Sequence, residues 1–259
     1  MATLRSPEGC PWDREQTFAS LGQFVLEEAY EVVDAIERND VPALREEIGD
    51  HIFEGVFLAQ IAADEGHFSV AESLEAVSDK LVRRHPHVFR EDGRVHDAAS
   101  KERAPSADAA LSKWDMQKAA EKGAAGQTGG ALGDLPLGLP ALLKAYKLGK
   151  RAAGVGFDWA RAGDVVSKIE EEVAELRETL EHHPADSGRA EEEMGDLLFA
   201  IANLSRKLGI EPEAALRKAN QKFTRRFEAL EASISASGGR LDAMTLDELE
   251  AEWQRVKQA

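Results

Sequence analysis

Apolar residues recur along this chain at steps of three and four. In segment 24–38 (FVLEEAYEVVDAIER), Val25, Ala29, Val32, Val33 and Ile36 share one stripe, and in 46–62 Ile48, Ile52, Val56 and Ile61 do the same. The habit returns at 164–181 with Val165, Ile169, Val173, Leu176 and Leu180. It returns again at 191–208 with Met194, Leu197, Leu198, Ile201, Leu204 and Leu208, where Gly209 supplies a C-terminal stop. A further apolar helix is predicted over 139–153. Alternating, strand-like runs are hard to find, aromatic residues make up only 6% of the chain, and the breaks carry Asn-Asp, His-Pro-Ala-Asp and Ser-Gly-Gly turn signals. The pattern predicts an all-α protein.

The stripes are duplicated. Pro11-Trp12-Asp13, Glu27-Glu28-x-x-Glu31, Glu46-Glu47-Ile48-Gly49-Asp50, Lys80-Leu81-Val82-Arg83-Arg84 and Trp114-x-x-x-Lys118 run through the first half. Gly156-Phe157-Asp158, Glu171-Glu172-x-x-Glu175, Glu192-Glu193-Met194-Gly195-Asp196, Lys222-Phe223-Thr224-Arg225-Arg226 and Trp253-x-x-x-Lys257 follow in the same order through the second. The offsets, from Asp13 to Asp158, Glu31 to Glu175, Asp50 to Asp196, Arg84 to Arg226 and Trp114 to Trp253, are 145, 144, 146, 142 and 139 residues. Five landmarks at nearly constant spacing mark a tandem duplication of one helical unit. Residues 119–134 lack an apolar period and carry glycines at 123, 126, 129, 130 and 133, so they are expected to be a flexible linker between units 1–118 and 135–259. The polar, Ala-rich stretch 91–110 is expected to be a long loop. Such a unit cannot bury both faces alone, which predicts four-helix-bundle-like cores formed by pairing of units.

Charge narrows the function. With 32 Lys and Arg against 48 Asp and Glu, the 259-residue chain carries a formal −16, which disfavours nucleic acid or an anionic membrane as partner. An anionic substrate would then need local positive charge, and a bound divalent cation supplies it. The single cysteine, Cys10, excludes an intramolecular disulfide and a cysteine-built zinc site, and it reads as a packed residue rather than a nucleophile. No leader-like or spanning apolar run is found, so a soluble cytoplasmic protein is expected. Walker A, dinucleotide-binding and nucleophile-elbow motifs are missing.

The repeated acids are the candidate chemistry. A 100° step per residue sets Glu172 inside the apolar stripe of its helix and Glu175 on the edge, while Glu193 and Asp196 lie three apart at the start of the next helix. If the two helices run antiparallel across the short connection 182–190, the four carboxylates converge and need a cation. Oxygen-only ligands point to Mg²⁺ or Mn²⁺. A lone Glu pair would read as a solvated helix face; recurrence as Glu28, Glu31, Glu47 and Asp50 in the first half favours ligation. Lys222 and Arg226, with Arg225 beside them, form a cationic stripe suited to phosphate, while Phe223 and Phe227 are expected to face the core. Trp114 and Trp253 read as anchors of their helices or as stacking platforms, and His85 and His87 as turn residues.

These motifs (GCPWD, LEEAYEVVDAI, REEIGD and KLVRRHPHVF, then VGFDW, KIEEEVAEL, EEEMGDLLFAIANLSRKLGI and NQKFTRRF) resemble the MazG nucleoside triphosphate pyrophosphohydrolases over almost the whole chain. The resemblance implies an all-α, typically dimeric enzyme that cleaves nucleoside triphosphates between the α and β phosphates with Mg²⁺. It implies metal ligands at Glu172, Glu175, Glu193 and Asp196. It also implies nucleotide contacts at Lys168, Ile169, Glu170, Glu171 and Glu172, at Arg189, Ala190, Glu191 and Glu192, at Lys222, Phe223, Thr224, Arg225 and Arg226, and at Trp253. In that scheme Glu171 or Glu175 is the general base, and Lys222 and Arg226 stabilise the leaving pyrophosphate. Only nine residues precede CPWD, against a full helix before VGFDW, so the first unit is expected to be the weaker or inactive site. A redox di-metal carboxylate bundle would want Glu-x-x-His where Glu175 and Asp196 stand. A Nudix reading of REEIGD fails for want of the upstream Arg-Glu, and a helical adaptor would show no divalent dependence.

Overall fold

The computed structural model describes residues 1–90, 92–97, 100, 104–124, 130–182 and 187–258. The chain divides into two compact units, Met1–Gln127 and Thr128–Ala259. Among the described residues the secondary structure is helical apart from one isolated bridge between Phe89 and Val95, in keeping with the all-α expectation.

In the first unit, α1 (Pro11–Glu15) leads into a hairpin of α2 (Phe18–Arg38) and α3 (Val41–Asp64), followed by α4 (Val70–Arg84) and α5 (Ala107–Ala124). The starts and stops are local chemistry. Thr17 caps α2 through a reciprocal pair with Ser20, Asn39 ends it in the left-handed region at φ 55°, and Asp40 accepts from the Ala43 amide to start α3. Ser69 and Glu72 form the capping box of α4. Two residues between α2 and α3 force an antiparallel pair. Its core is Leu21, Phe57 and Ile61, with Met1, Phe24 and Leu58 packed around them.

In the second unit, α6 (Ala141–Ala153) precedes the hairpin of α7 (Ala162–His182) and α8 (Ser187–Lys207), then α9 (Pro212–Ala236), a 3-10 turn at Leu241–Ala243 and α10 (Leu246–Gln258). Gly209, at φ 70°, ends the run after α8, and Glu211 caps α9 by accepting from the Glu213 and Ala214 amides. α6 packs on α8 where Gly149 is buried against Asn203; a Cβ at 149 would collide with Asn203 Oδ1. Asp158, in the turn before α7, accepts from Arg206 Nη2 at 2.5 Å and Lys207 Nζ at 2.7 Å, tying that turn to the end of α8.

The predicted stripes are only half used within the chain. Val165 and Ile61 are fully buried, but Ile36, Ile48, Ile52, Leu180, Met194, Leu198 and Ile201 remain exposed. An antiparallel pair covers one side of each helix and leaves the other open. α5 continues to Ala124, so residues 119–124 of the expected linker are helical, while 125–129 lie outside the described residues. Within the expected loop 91–110, residues 91, 98, 99 and 101–103 also lie outside them, and α5 begins at Ala107.

Candidate active site

The α7–α8 hairpin brings three acids together. Glu172, Glu175 and Glu193 each present a carboxylate oxygen within 4.8 Å of the others'. Glu172 is 4% exposed, as its place inside the stripe of α7 predicts, and its Oε2 is buried without a hydrogen-bond partner. Its Oε1 is 2.8 Å from Lys168 Nζ one turn earlier, and the same ammonium reaches Glu171 Oε1 at 2.8 Å. The two carboxylates push the Lys168 pKa up. Burial, then repulsion from Glu172 and Glu193, raises that of Glu175. Arg189 lies 3.7 Å from Glu193.

Asp196, the fourth expected ligand, is exposed and outside this trio. It sits one turn beyond Glu193 on α8, on the exposed side of the helix. The first unit repeats the arrangement with Glu28, Glu47 and Asp50, again within 4.8 Å, and here it is the Glu31 carboxyl that falls outside. Desolvation and the neighbouring acids raise Glu28 and Glu47. A buried carboxylate oxygen with no donor, beside two more acids and no sulfur or imidazole, fits a hard divalent cation.

The basic stripe occupies a different place. Lys222, Arg225 and Arg226 line a groove of about 790 Å³ between α9 and α10, together with Ala229, Ser233, Glu252, Arg255 and Val256. None of the acid trio lines it. Phe223 and Phe227 are 57% and 38% exposed rather than in the core: they stack on each other at 5.9 Å, and Trp253 lies 5.4 Å from Phe223. Leu230 and Ile234, further along α9, take the buried positions. The expected contacts Glu170, Glu191 and Glu192 are exposed, as are Lys222, Thr224 and Arg225, while Ile169, Ala190 and Arg226 are half-buried.

In comparison with known proteins, the family model for the MazG nucleotide pyrophosphohydrolase domain matches residues 16–89 and 164–230, one match in each unit. The chain belongs to the MazG family. It is 46% identical over 258 residues to the nucleoside triphosphate pyrophosphohydrolase of Escherichia coli strain K12, covering 99% of this chain and 94% of that one. To the nucleoside triphosphate pyrophosphohydrolase/pyrophosphatase MazG of Thermotoga maritima it is 40% identical over 257 residues, with 99% and 92% covered. Against the uncharacterized protein YabN of Bacillus subtilis strain 168 the identity is 40% over 255 residues, which is 98% of this chain and half of the other.

Sequence reasoning missed one residue of the basic groove. Glu252 is 6% exposed, pairs with Arg255 and accepts from Ser233 Oγ at 2.6 Å, so it closes one wall of the basic groove. The signal was present: Glu252 stands between Leu249 and Val256 on the apolar stripe of α10, as Glu172 stands in that of α7.

Proposed function

We propose that this MazG protein hydrolyses nucleoside triphosphates to the monophosphate and pyrophosphate at the acid cluster of its second unit, with Mg²⁺ or Mn²⁺ as cofactor. The observation that carries the reading is the meeting of the Glu172, Glu175 and Glu193 carboxylates, of which Glu172 keeps its Oε2 buried without a donor. Glu172, Glu175 and Glu193 would hold the cation, with Asp196 reached through solvent or a side-chain rotation. The cation would offset the repulsion between an acidic protein and a polyphosphate and polarise the phosphate oxygens.

The chain's own groups do the rest. Lys168, already held between Glu171 and Glu172, fixes the Glu172 carboxylate in its ligating position. The attacking water gives its proton to Glu171 or Glu175. These two separate experimentally, because E171Q would lower kcat with cation binding intact, whereas E175Q would lose the cation as well. Lys222, Arg225 and Arg226 offer point and bidentate charge to the pyrophosphate, and Trp253 beside Phe223 offers a face to the base.

We further propose a homodimer, in which a second copy covers the apolar residues that each hairpin leaves exposed. A monomer by light scattering at micromolar concentration would refute it. The test of the function is turnover of a panel of ribo- and deoxynucleoside triphosphates with and without Mg²⁺, with products separated. Metal-dependent monophosphate and pyrophosphate are expected from the full chain and from E28Q, and none from E172Q. Turnover retained in E172Q, or diphosphate and phosphate as products, would overturn the assignment.

A further inference from the structure

The Lys-x-x-Arg-Arg motif stands in both units, and its two copies meet different surroundings. The 142-residue offset relates Lys80, Arg83 and Arg84 on α4 to Lys222, Arg225 and Arg226 on α9. Arg225 and Arg226 line the open groove of the second unit and make no hydrogen bond or ion pair among the described residues. Arg83 and Arg84 are both engaged by Glu121 of α5. Its Oε1 accepts from Arg83 Nε at 2.8 Å, and its Oε2 accepts from Arg84 Nε and Nη2 at 2.9 and 2.6 Å.

One carboxylate that holds two guanidiniums does what a phosphate group does, offering paired anionic oxygens to planar forks of donors. The same helix brings Trp114 to Arg84, with the guanidinium carbon 5.7 Å from the ring centroid. Trp114 and Glu121 lie seven residues apart, two turns along one face of α5, so a single helix face covers Arg84. The Arg84 and Glu121 side chains are each only 21% exposed. Hydrogen bonds from Arg84 and then Arg83 hold the Glu121 pKa down to about 2, so the occupant is an anion at neutral pH.

Space for a larger anion lies beside the pair. A cavity of about 620 Å³ opens between α4, α5 and the loop after α4; Arg83, Arg90 and Gln117 line it, with Asp79 and Asp92 on its walls. Arg90 is paired with Asp97 at 2.9 Å, which leaves Arg83 as the cation that joins this cavity to the Glu121 contact.

We propose that Arg83 and Arg84 form a site for a chain of phosphates in the first unit and that Glu121 occupies it from within, closing that unit to polyphosphate while α5 is docked. The occupant belongs to the same chain, so an outside anion competes against an effective concentration on the order of millimolar. The parallel with Lys222, Arg225 and Arg226 rests on the phosphate role proposed for them; the occupation of Arg83 and Arg84 by Glu121 does not.

The test is calorimetric titration of inorganic pyrophosphate into the full chain in EDTA, which keeps metal from the acid clusters, in an R225A/R226A background that removes the open groove. Adding E121A should bring pyrophosphate binding at least about tenfold tighter than in the background alone, because the internal competitor is gone. E121Q, which keeps an acceptor without its charge, should gain less, and R84A added to E121A should abolish the gain. ATP should show the same gain, since the phosphates are the shared ligand. Hydrogen exchange reads the wild type directly: pyrophosphate well above millimolar should speed exchange of the α5 amides, and chloride at equal ionic strength should not. The proposal fails if neither E121A nor E121Q gains pyrophosphate binding, if the gain survives the loss of Arg84, if ATP alone binds, or if pyrophosphate leaves α5 exchange as chloride does. Failure of hydrolysis across every nucleotide would leave these outcomes unchanged, so the two readings fall separately.

Discussion

Replacing Asp158 by Asn tests what holds the turn before α7 in place. The Asp158 carboxylate is about a quarter exposed and binds Arg206 and Lys207, whose side chains are only 10% and 16% exposed. Hydrogen bonds from Arg206 lead the causes that lower its pKa from an ordinary 3.8 to about 2. That gap corresponds to about 2 kcal/mol of stability carried by the ionised form. Asparagine keeps the shape and removes the charge, so D158N should lose about 2 kcal/mol at pH 6, part of it from two cations left without a counter-charge. The sign of the pH dependence follows from a folded pKa below the unfolded one. The contribution is fully present above about pH 4 to 5, is roughly halved near pH 3, and vanishes as pH falls through the folded value. Urea unfolding of both proteins by circular dichroism at pH 6 and pH 3 measures it, analysed for the transition of the second unit because two units need not unfold as one. Equal stabilities at pH 6, or a difference that stays the same at pH 3, would refute the reasoning.

Other substitutions probe other links. G149A should destabilise the second unit by about 1–3 kcal/mol in thermal unfolding, because the added methyl meets the buried Asn203 amide where α6 crosses α8; an unchanged melting temperature would contradict that packing. W253A should raise KM for nucleoside triphosphates about tenfold and change kcat less, the pattern of a lost stacking surface worth about 1–3 kcal/mol. An unchanged KM would return Trp253 to the role of helix anchor. Removal of divalent cations with EDTA should abolish turnover, and added Mg²⁺ should restore it; turnover in EDTA would leave the acid trio without its proposed role. R226A should lower kcat by at least tenfold through lost charge on the leaving group, and guanidinium ion in the assay should restore part of it.

Much of this protein was legible in its residues. The α2, α3, α7 and α8 helices follow from three- and four-residue apolar steps, because helical periodicity is a local property that the backbone repeats every 3.6 residues. The duplication followed from the order and spacing of its landmarks, and the family from the resemblance of the motifs themselves. Glu172 was identifiable because a carboxylate inside an apolar stripe must be satisfied by something, and the structure places it at 4% exposure. Glu252 and Glu54, 6% and 9% exposed, obey the same argument on stripes that are less regular.

The tertiary structure decided which of these groups meet. Glu175 joins Glu172 and Glu193 whereas Asp196 does not, since convergence depends on the rotation and offset of α7 against α8, which no spacing along one helix reports. Phe223 and Phe227 face out beside Trp253 because Leu230 and Ile234 already occupy the buried positions on α9. Arg83 and Arg84 are engaged in the first unit because α5 brings Glu121 across to them, over a sequence separation that no local pattern reports. The sequence by itself determined the helices, the repeat and the residue types available for chemistry, since each is written in spacings shorter than a few turns. Only the packing decided which carboxylates share a site, which cations are free for substrate, and where the two copies of one motif have diverged.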